Sequence, residues 1–256
     1  MAHQNEPLEE SRMPISEHLE ELRSRILICL AAIGLGFGVS LAVTEPVLRW
    51  LRRPLGEELY FFSPTEAFWT HLKVAFFTGL FLASPVVLYQ LWRFVAPGLY
   101  RRERRYALLF VLLSLFFLAL GLLFCAYIAL PFAMKFLIQF GTERGIKPLI
   151  SIGMYIDFTL KFYLAFGLIF QLPLVLTLLA RMGLLTAQVL AKNRKYAFLM
   201  NAIVAATLTP TSDIFNMLLM LIPLTLLYEL GILGARIFGA RKQYAASKVE
   251  HHARAT

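Results

Sequence analysis

Charge is scarce in this chain, and the residue patterns of catalysis are scarcer. Asp, Glu, Lys and Arg make up only 16% of the 256 residues, alongside two cysteines and five histidines. No G-x-S-x-G, H-E-x-x-H or Walker A loop occurs, and His3, His18, His71, His251 and His252 form no ligand cluster beyond the terminal pair. Those absences argue against a hydrolase, a metal centre and an ATP-driven machine, and they leave no cofactor to expect. Cys29 and Cys125 lie in apolar stretches without ligand spacing, so they read as small packing residues. The first 25 residues are hydrophilic and carry six glutamates, which is not the pattern of a cleaved signal peptide. The first apolar stretch is therefore expected to act as an uncleaved anchor.

What the chain has in abundance is apolar length. Hydrophobic residues are 59% of the total, 22 of them Phe, and the mean hydropathy is +0.66, well above the roughly 45–50% apolar content of a soluble domain. A bilayer core about 30 Å thick is crossed by about 20 residues at 1.5 Å each. Four charge-free runs meet that length: Ile26–Thr44, Val74–Trp92, Tyr106–Met134 and Phe162–Ala180. Two shorter runs follow, Tyr196–Thr209 and Ile214–Tyr228, separated by the turn-forming Pro210-Thr211-Ser212-Asp213. They predict a hairpin of short fifth and sixth spans that thin the bilayer or snorkel their flanks, unless adjacent polar residues lengthen the helices. The fold class expected is an all-α membrane protein of six transmembrane helices, one integral domain over residues 1–256 without internal repeats.

Lys and Arg outnumber Asp and Glu by 25 to 16. Nucleic-acid binding is one reading of that excess, and the positive-inside rule is the better one. Between the runs, 17 basic residues fall on the side of both termini and eight on the other, which predicts an N-in/C-in topology in the cytoplasmic membrane. Arg49, Arg52 and Arg53 run against the bias. The first outer loop, residues 45–73, holds Pro46, Pro54, Pro64, Trp50 and Trp69, as expected of short interfacial helices broken at prolines. The second, residues 135–161, carries a Gly141…Gly145…Pro148 break.

No ionisable residue stands in the middle of a span, where the amides Gln90 and Gln171 and hydroxyls are among the polar groups. Proton-coupled solute carriers place charge there, so attention turns to carboxylates at the cytoplasmic face. Ser16-Glu17-His18-Leu19-Glu20-Glu21-Leu22-Arg23 predicts an amphipathic turn at the membrane surface before the first span. Glu21 either pairs with Arg25 at i,i+4 or faces a ligand. Glu103, in Arg101-Arg102-Glu103-Arg104-Arg105, either relieves repulsion between neighbouring arginines or accepts a guanidinium from a partner. Spacing alone leaves both alternatives open.

Several blocks in order resemble the TatC family, the multi-span component of the twin-arginine protein translocase. They are His18-Leu19-Glu20-Glu21-Leu22-Arg23, Ser63-Pro64-Thr65-Glu66-Ala67-Phe68, Pro85…Tyr89-Gln90-Leu91-Trp92-Arg93-Phe94-Val95-Ala96-Pro97-Gly98-Leu99-Tyr100…Glu103-Arg104-Arg105, Phe170-Gln171-Leu172-Pro173, Thr209-Pro210-Thr211-Ser212-Asp213 and Pro223…Leu227-Tyr228-Glu229. They cover residues 14–240, leaving polar tails at 1–13 and 241–256. The resemblance implies a receptor for twin-arginine signal peptides of folded precursors, driven by the proton-motive force. It also implies a concave, glove-like shape and an oligomeric assembly in the lipid bilayer with small single-span subunits of the TatA and TatB type. It assigns Glu21, Glu103, Arg23, Phe94 and Pro97 to signal-peptide binding, and Pro54, Phe68 and Asp213 to outer-face function. Gln171 falls at an embedded position often occupied by Glu in the family, where Gln cannot titrate but can bond a partner's helix. The rival class is a secondary transporter of small solutes, whose short spans recur in both halves; here the two short runs are consecutive.

Overall fold

The computed structural model describes residues 15–55, 59–95, 107–209 and 213–238. The chain first forms α1 (Ile15–Arg52) and α2 (Pro64–Val95), of 38 and 32 residues. Neither breaks where the sequence suggested. The expected surface turn around Ser16–Arg23 is the first part of α1, continuous with the apolar run. Pro46 lies inside α1, so the interfacial helices expected between the prolines are replaced by continuation of the span to Arg52. Proline removes the bond to the carbonyl four residues back and crowds that turn, and the turns that follow are held by burial of Leu48 and Leu51. Pro64 opens α2, the position where a missing N–H costs nothing.

The third rod is α3 (Ala107–Phe124), a π-helical turn at Cys125–Ala129, then α4 (Leu130–Thr142). The Leu130 N–H donates to the Cys125 carbonyl, one residue wider than an α-helical bond. Pro131 follows immediately, and the widened turn accommodates a ring that would clash with the preceding turn. The expected break after α4 is present, with Gly145 at φ 77°, a left-handed conformation that favours glycine. Next come α5 (Ile152–Ile169) and α6 (Leu172–Arg181), interrupted by a turn at Phe170-Gln171 ahead of Pro173. The short α7 (Ala187–Lys192) leads to α8 (Arg194–Leu208) and α9 (Ile214–Phe238).

Among the described residues, five helical segments are long and apolar enough to cross a membrane: 19–52, 64–94, 108–142, 152–181 and 214–238. The α8 helix, at 15 residues, is short of that length, as its run predicted. The last helix is not short. It continues through Pro223 and past Tyr228 to 25 residues, and on it Glu229 is paired with Arg194, whose Nε and Nη2 each donate at 2.7 Å to a Glu229 oxygen. The chain also departs from all-α: Leu59–Tyr60 (β1) pairs in parallel with Ile150–Ser151 (β2), tying the two loops beyond the bundle together.

Packing brings the ends of the charge-free runs to common levels. At one end the Arg25 Nη1 donates to Gln90 Oε1 at 3.1 Å, and the Arg181 guanidinium lies 5.4 Å over Phe110, itself stacked on Trp92 at 4.5 Å. At the other, His71 Nε2 lies 3.1 Å from Glu45 Oε2, and Lys73 Nζ donates to Asp157 at 2.6 Å. Between these levels α1 spans Ile26–Thr44, about 28 Å by helical rise, the thickness of a hydrocarbon core. The helices α1, α2 and α5 therefore continue beyond the apolar slab before the chain turns.

Close backbone approach holds the rods together. A Cβ on Gly79 would sit 2.4 Å from the Phe37 nitrogen, and one on Gly36 would sit 2.5 Å from the Gly79 carbonyl oxygen, so α1 and α2 cross where neither has a side chain. Small residues serve this purpose where lipid supplies no hydrophobic drive. The main core joins Leu48 and Leu51 of α1, Cys125 and Ala129 of the π-turn, Phe162 and Phe166 of α5, and Met220 and Leu224 of α9. Cys125 is fully buried and Cys29 half-buried, both as free thiols. The α5–α6 rod is central, with 61% of its apolar window buried, against 6% for α1 at the periphery.

Candidate recognition face and embedded polar site

The two sequence blocks richest in matched residues meet at the end of the bundle where α1 begins and α2 ends. Glu21 pairs with Arg25 one turn later, as the simpler of its two readings predicts. The pair does not stop there. Arg25, its side chain 12% exposed, reaches across to Gln90 on α2. Gln90 is buried, so its amide oxygen would cost free energy without that donor. Arg23, two positions from Glu21, is exposed, and Phe94 in the last turn of α2 is half-buried. Pro97 and Glu103 lie outside the described residues, in the segment joining α2 to α3.

A second polar chain starts two residues from Gln90 and runs into the bundle. The Trp92 indole N–H donates to Ser114 Oγ at 3.1 Å, and both side chains are buried. On the same residue of α3, the Ser114 carbonyl accepts from Gln171 Nε2 at 3.0 Å. Gln171 occupies the turn between α5 and α6, half-buried, so its position is set by the proline-induced interruption of that rod. The amide expected to serve a partner's helix thus spends one donor inside the chain, while Oε1 is not used in that bond.

The remaining matched positions cluster at the opposite end, where α1 ends and α2 and α5 begin. Pro54 is half-buried in the turn after α1, closed by Arg53 N–H to the Trp50 carbonyl and Leu55 N–H to the Arg52 carbonyl. Phe68 is 62% exposed and packs edge-on to Trp69, with ring centroids 5.7 Å apart. Asp213 starts α9: its Oδ1 accepts the Asn216 N–H at 2.7 Å and its Oδ2 the Asn216 side-chain amide at 2.9 Å. That is the capping role a carboxylate plays at a helix N-terminus.

Glu66 was quoted only as part of a motif, and the structure gives it the densest set of contacts at this end. Its carboxylate accepts from the Phe62 N–H at 2.7 Å, the Gly153 N–H at 2.8 Å and the Ser151 hydroxyl. One side chain therefore holds the loop before α2 against the start of α5. The Ser-Pro-x-Glu spacing, with an acid in the first turn of a helix, was the available signal. Its partners, 85 and 87 residues away, were not.

Fold and polar contacts together define a polytopic helical membrane protein. Comparison with known proteins gives it a family. The sequence pattern described as "Sec-independent protein translocase protein (TatC)" matches residues 17–223. A protein of that name from Desulforapulum autotrophicum is 43% identical over 91% of this chain and 88% of its own length, and one from Aquifex aeolicus is 38% identical over 90% and 98%. A crystal structure titled as the twin arginine translocase receptor TatC superposes with a TM-score of 0.77 at 38% identity, covering 86% of this chain and 99% of that one. The chain belongs to the TatC family. It is a multi-pass membrane component of the Sec-independent protein translocase and not an enzyme.

Proposed function

We propose that this chain is the signal-peptide receptor and assembly scaffold of that translocase. It sits in the cytoplasmic membrane as six spans with both termini inside and the bundle shaped as a concave glove. In this reading α8 is the short fifth span, and small single-span subunits join the chain in an oligomeric assembly driven by the proton-motive force. The observation that carries it is the Glu21–Arg25–Gln90 link, which puts the first recognition block beside the Tyr89–Phe94 block at one end of the bundle. The chain enters that end at Glu21 and Arg23 and leaves it through the segment containing Pro97 and Glu103.

The chemistry favours arginine as the ligand. A carboxylate accepts paired hydrogen bonds from a guanidinium, the group that Glu21 already binds on Arg25. At about 4 Å and an effective dielectric near 20, one carboxylate attracts a cation by about 4 kcal/mol gross, whereas arginines beyond about 8 Å are largely screened. Local geometry at Glu103 can then win over the net charge of its four arginine neighbours. Gln171 offers its free oxygen to a polar residue of a partner's helix, and Pro54, Phe68 and Asp213 serve the outer face.

The test is crosslinking of a labelled twin-arginine precursor to membranes holding Glu21→Ala, Glu103→Ala or both at matched expression. Each single variant is expected to capture less precursor and the double variant none, with Glu20→Ala near wild type. Undiminished capture by the double variant, with no preference over a Lys-Lys control, would refute the assignment.

A further inference from the structure

Arg49 and Arg52 stand in the last turn of α1, at the end away from Glu21 and at i, i+3 on one helix face, and Arg53 follows in the turn after the helix. Arg49 and Arg53 are exposed and Arg52 is half-buried. No ion pair among the described residues involves any of them. Glu45, one turn before Arg49, is placed to pair with it, yet its carboxylate lies on His71 at 3.1 Å. Three neighbouring cations therefore stand at the end of the bundle where the charge bias of the chain asks for fewest.

Depth supplies the reason. Glu45 marks the edge of the apolar slab, level with Lys73 and Asp157 by way of His71 and the α1–α2 packing. Arg49 lies about 6 Å further along the helix and Arg52 about 10 Å, with Arg53 in the turn that follows. The headgroup layer on each side of the hydrocarbon is about 5–7 Å thick, and arginine stems reach several ångströms toward it. Trp50, 39% exposed and packed on Tyr163 at 5.9 Å, occupies the same layer, where amphipathic rings concentrate. The planar guanidinium matches the tetrahedral phosphate with paired hydrogen bonds.

We propose that Arg49, Arg52 and Arg53 form a binding site for the headgroup phosphate of an anionic phospholipid in the leaflet at that end, which fixes the depth of α1. The assignment is independent of the signal-peptide reading, since it needs neither Glu21 nor Glu103. The experiment uses the purified full chain in neutral detergent with a phosphatidylglycerol carrying a photoreactive headgroup, and a matched phosphatidylcholine. Chymotryptic peptides are mapped by mass spectrometry. Phosphatidylglycerol is expected to label the peptide containing Arg49–Arg53 at least about tenfold over phosphatidylcholine, without competition from excess inorganic phosphate. At roughly fivefold for each arginine, Arg49→Gln/Arg52→Gln/Arg53→Gln reduces labelling by about a hundredfold, the triple Lys variant retains much of it, and Lys192→Gln/Lys195→Gln changes nothing. Equal labelling by both lipids, or label mapping elsewhere on the unmodified chain, overturns the proposal without relying on any variant. Competition by inorganic phosphate would assign the arginines to a soluble anion, and preferential labelling by a photoreactive poly-glutamate peptide to an acidic protein segment. Either result overturns the lipid site.

Discussion

Replacing Ser114 with alanine removes the hydroxyl to which the buried Trp92 indole N–H donates at 3.1 Å, while leaving the Ser114 carbonyl that Gln171 uses. The two bonds can therefore be separated by mutation. An orphaned buried donor costs about 1–3 kcal/mol in a soluble core. Interhelical bonds in membranes average about 0.6 and reach about 1.7, because the unfolded chain in lipid finds other partners. Ser114→Ala is thus expected to cost about 1 kcal/mol. Trp92→Phe removes the donor and weakens the stack on Phe110, an aromatic pair contributing about 0.5–1.5 kcal/mol beyond its area. With the donor gone, losing the hydroxyl matters little, so the double variant should cost about 1 kcal/mol less than the sum. Gln171→Leu, in contrast, should add to Ser114→Ala within about 0.5 kcal/mol. The assay is reversible unfolding in mixed micelles with a rising fraction of SDS, followed by circular dichroism. A Ser114–Trp92 coupling below about 0.3 kcal/mol, or an equally large Ser114–Gln171 coupling, would refute this partition of the polar chain.

Glu66→Gln places an amide donor against backbone N–H donors and should lower the melting temperature in detergent. Gly153→Ala, whose new Cβ would meet Glu66 Oε1 at 2.7 Å, should do the same, and the pair should be less than additive; full additivity would mean the clamp is not one unit. Gly79→Leu should separate α1 from α2 and abolish folding, because its Cβ meets backbone rather than a movable side chain, whereas Gly38→Leu, with open space around it, should be tolerated; protease resistance of the two variants decides. Reporters fused after Tyr100 or Ala191 should read as cytoplasmic and those after Glu58 or Thr142 as external. The reverse pattern would invert every assignment of a face.

Membrane class and the positions of the apolar slabs were legible in the sequence, because lipid demands satisfied backbone and long charge-free runs, both local properties of a segment. The blocks that resemble the TatC family were legible for the same reason: each is a short string of neighbouring residues, and their order along the chain is enough to name the family. Where helices stop was not local. Pro46 looked like a break and is absorbed in α1, since Leu48 and Leu51 are buried in the core beyond it. Pro131 and Pro173 leave their marks as a π-turn and an interruption inside rods that read as continuous. Glu229 ended the charge-free run in the sequence, yet Glu is a good helix former and α9 passes it, its charge paired with Arg194, 35 residues earlier.

The site divides along the same line. Sequence named Glu21, Gln90 and Gln171 as polar groups at or within apolar spans, which any unpaired hydrogen-bonding group in lipid makes conspicuous. It offered two roles for Glu21 and could not say that Arg25 would serve Glu21 and Gln90 together, because that choice depends on α1 and α2 meeting at Gly36 and Gly79. It quoted Glu66 without a role, since an acceptor cluster assembled from Phe62, Ser151 and Gly153 exists only after two loops are brought together. Hydropathy and charge act along the chain and are written in it. Hydrogen-bond partners are set by which donors and acceptors come within about 3 Å of each other, and only the packed bundle decides that.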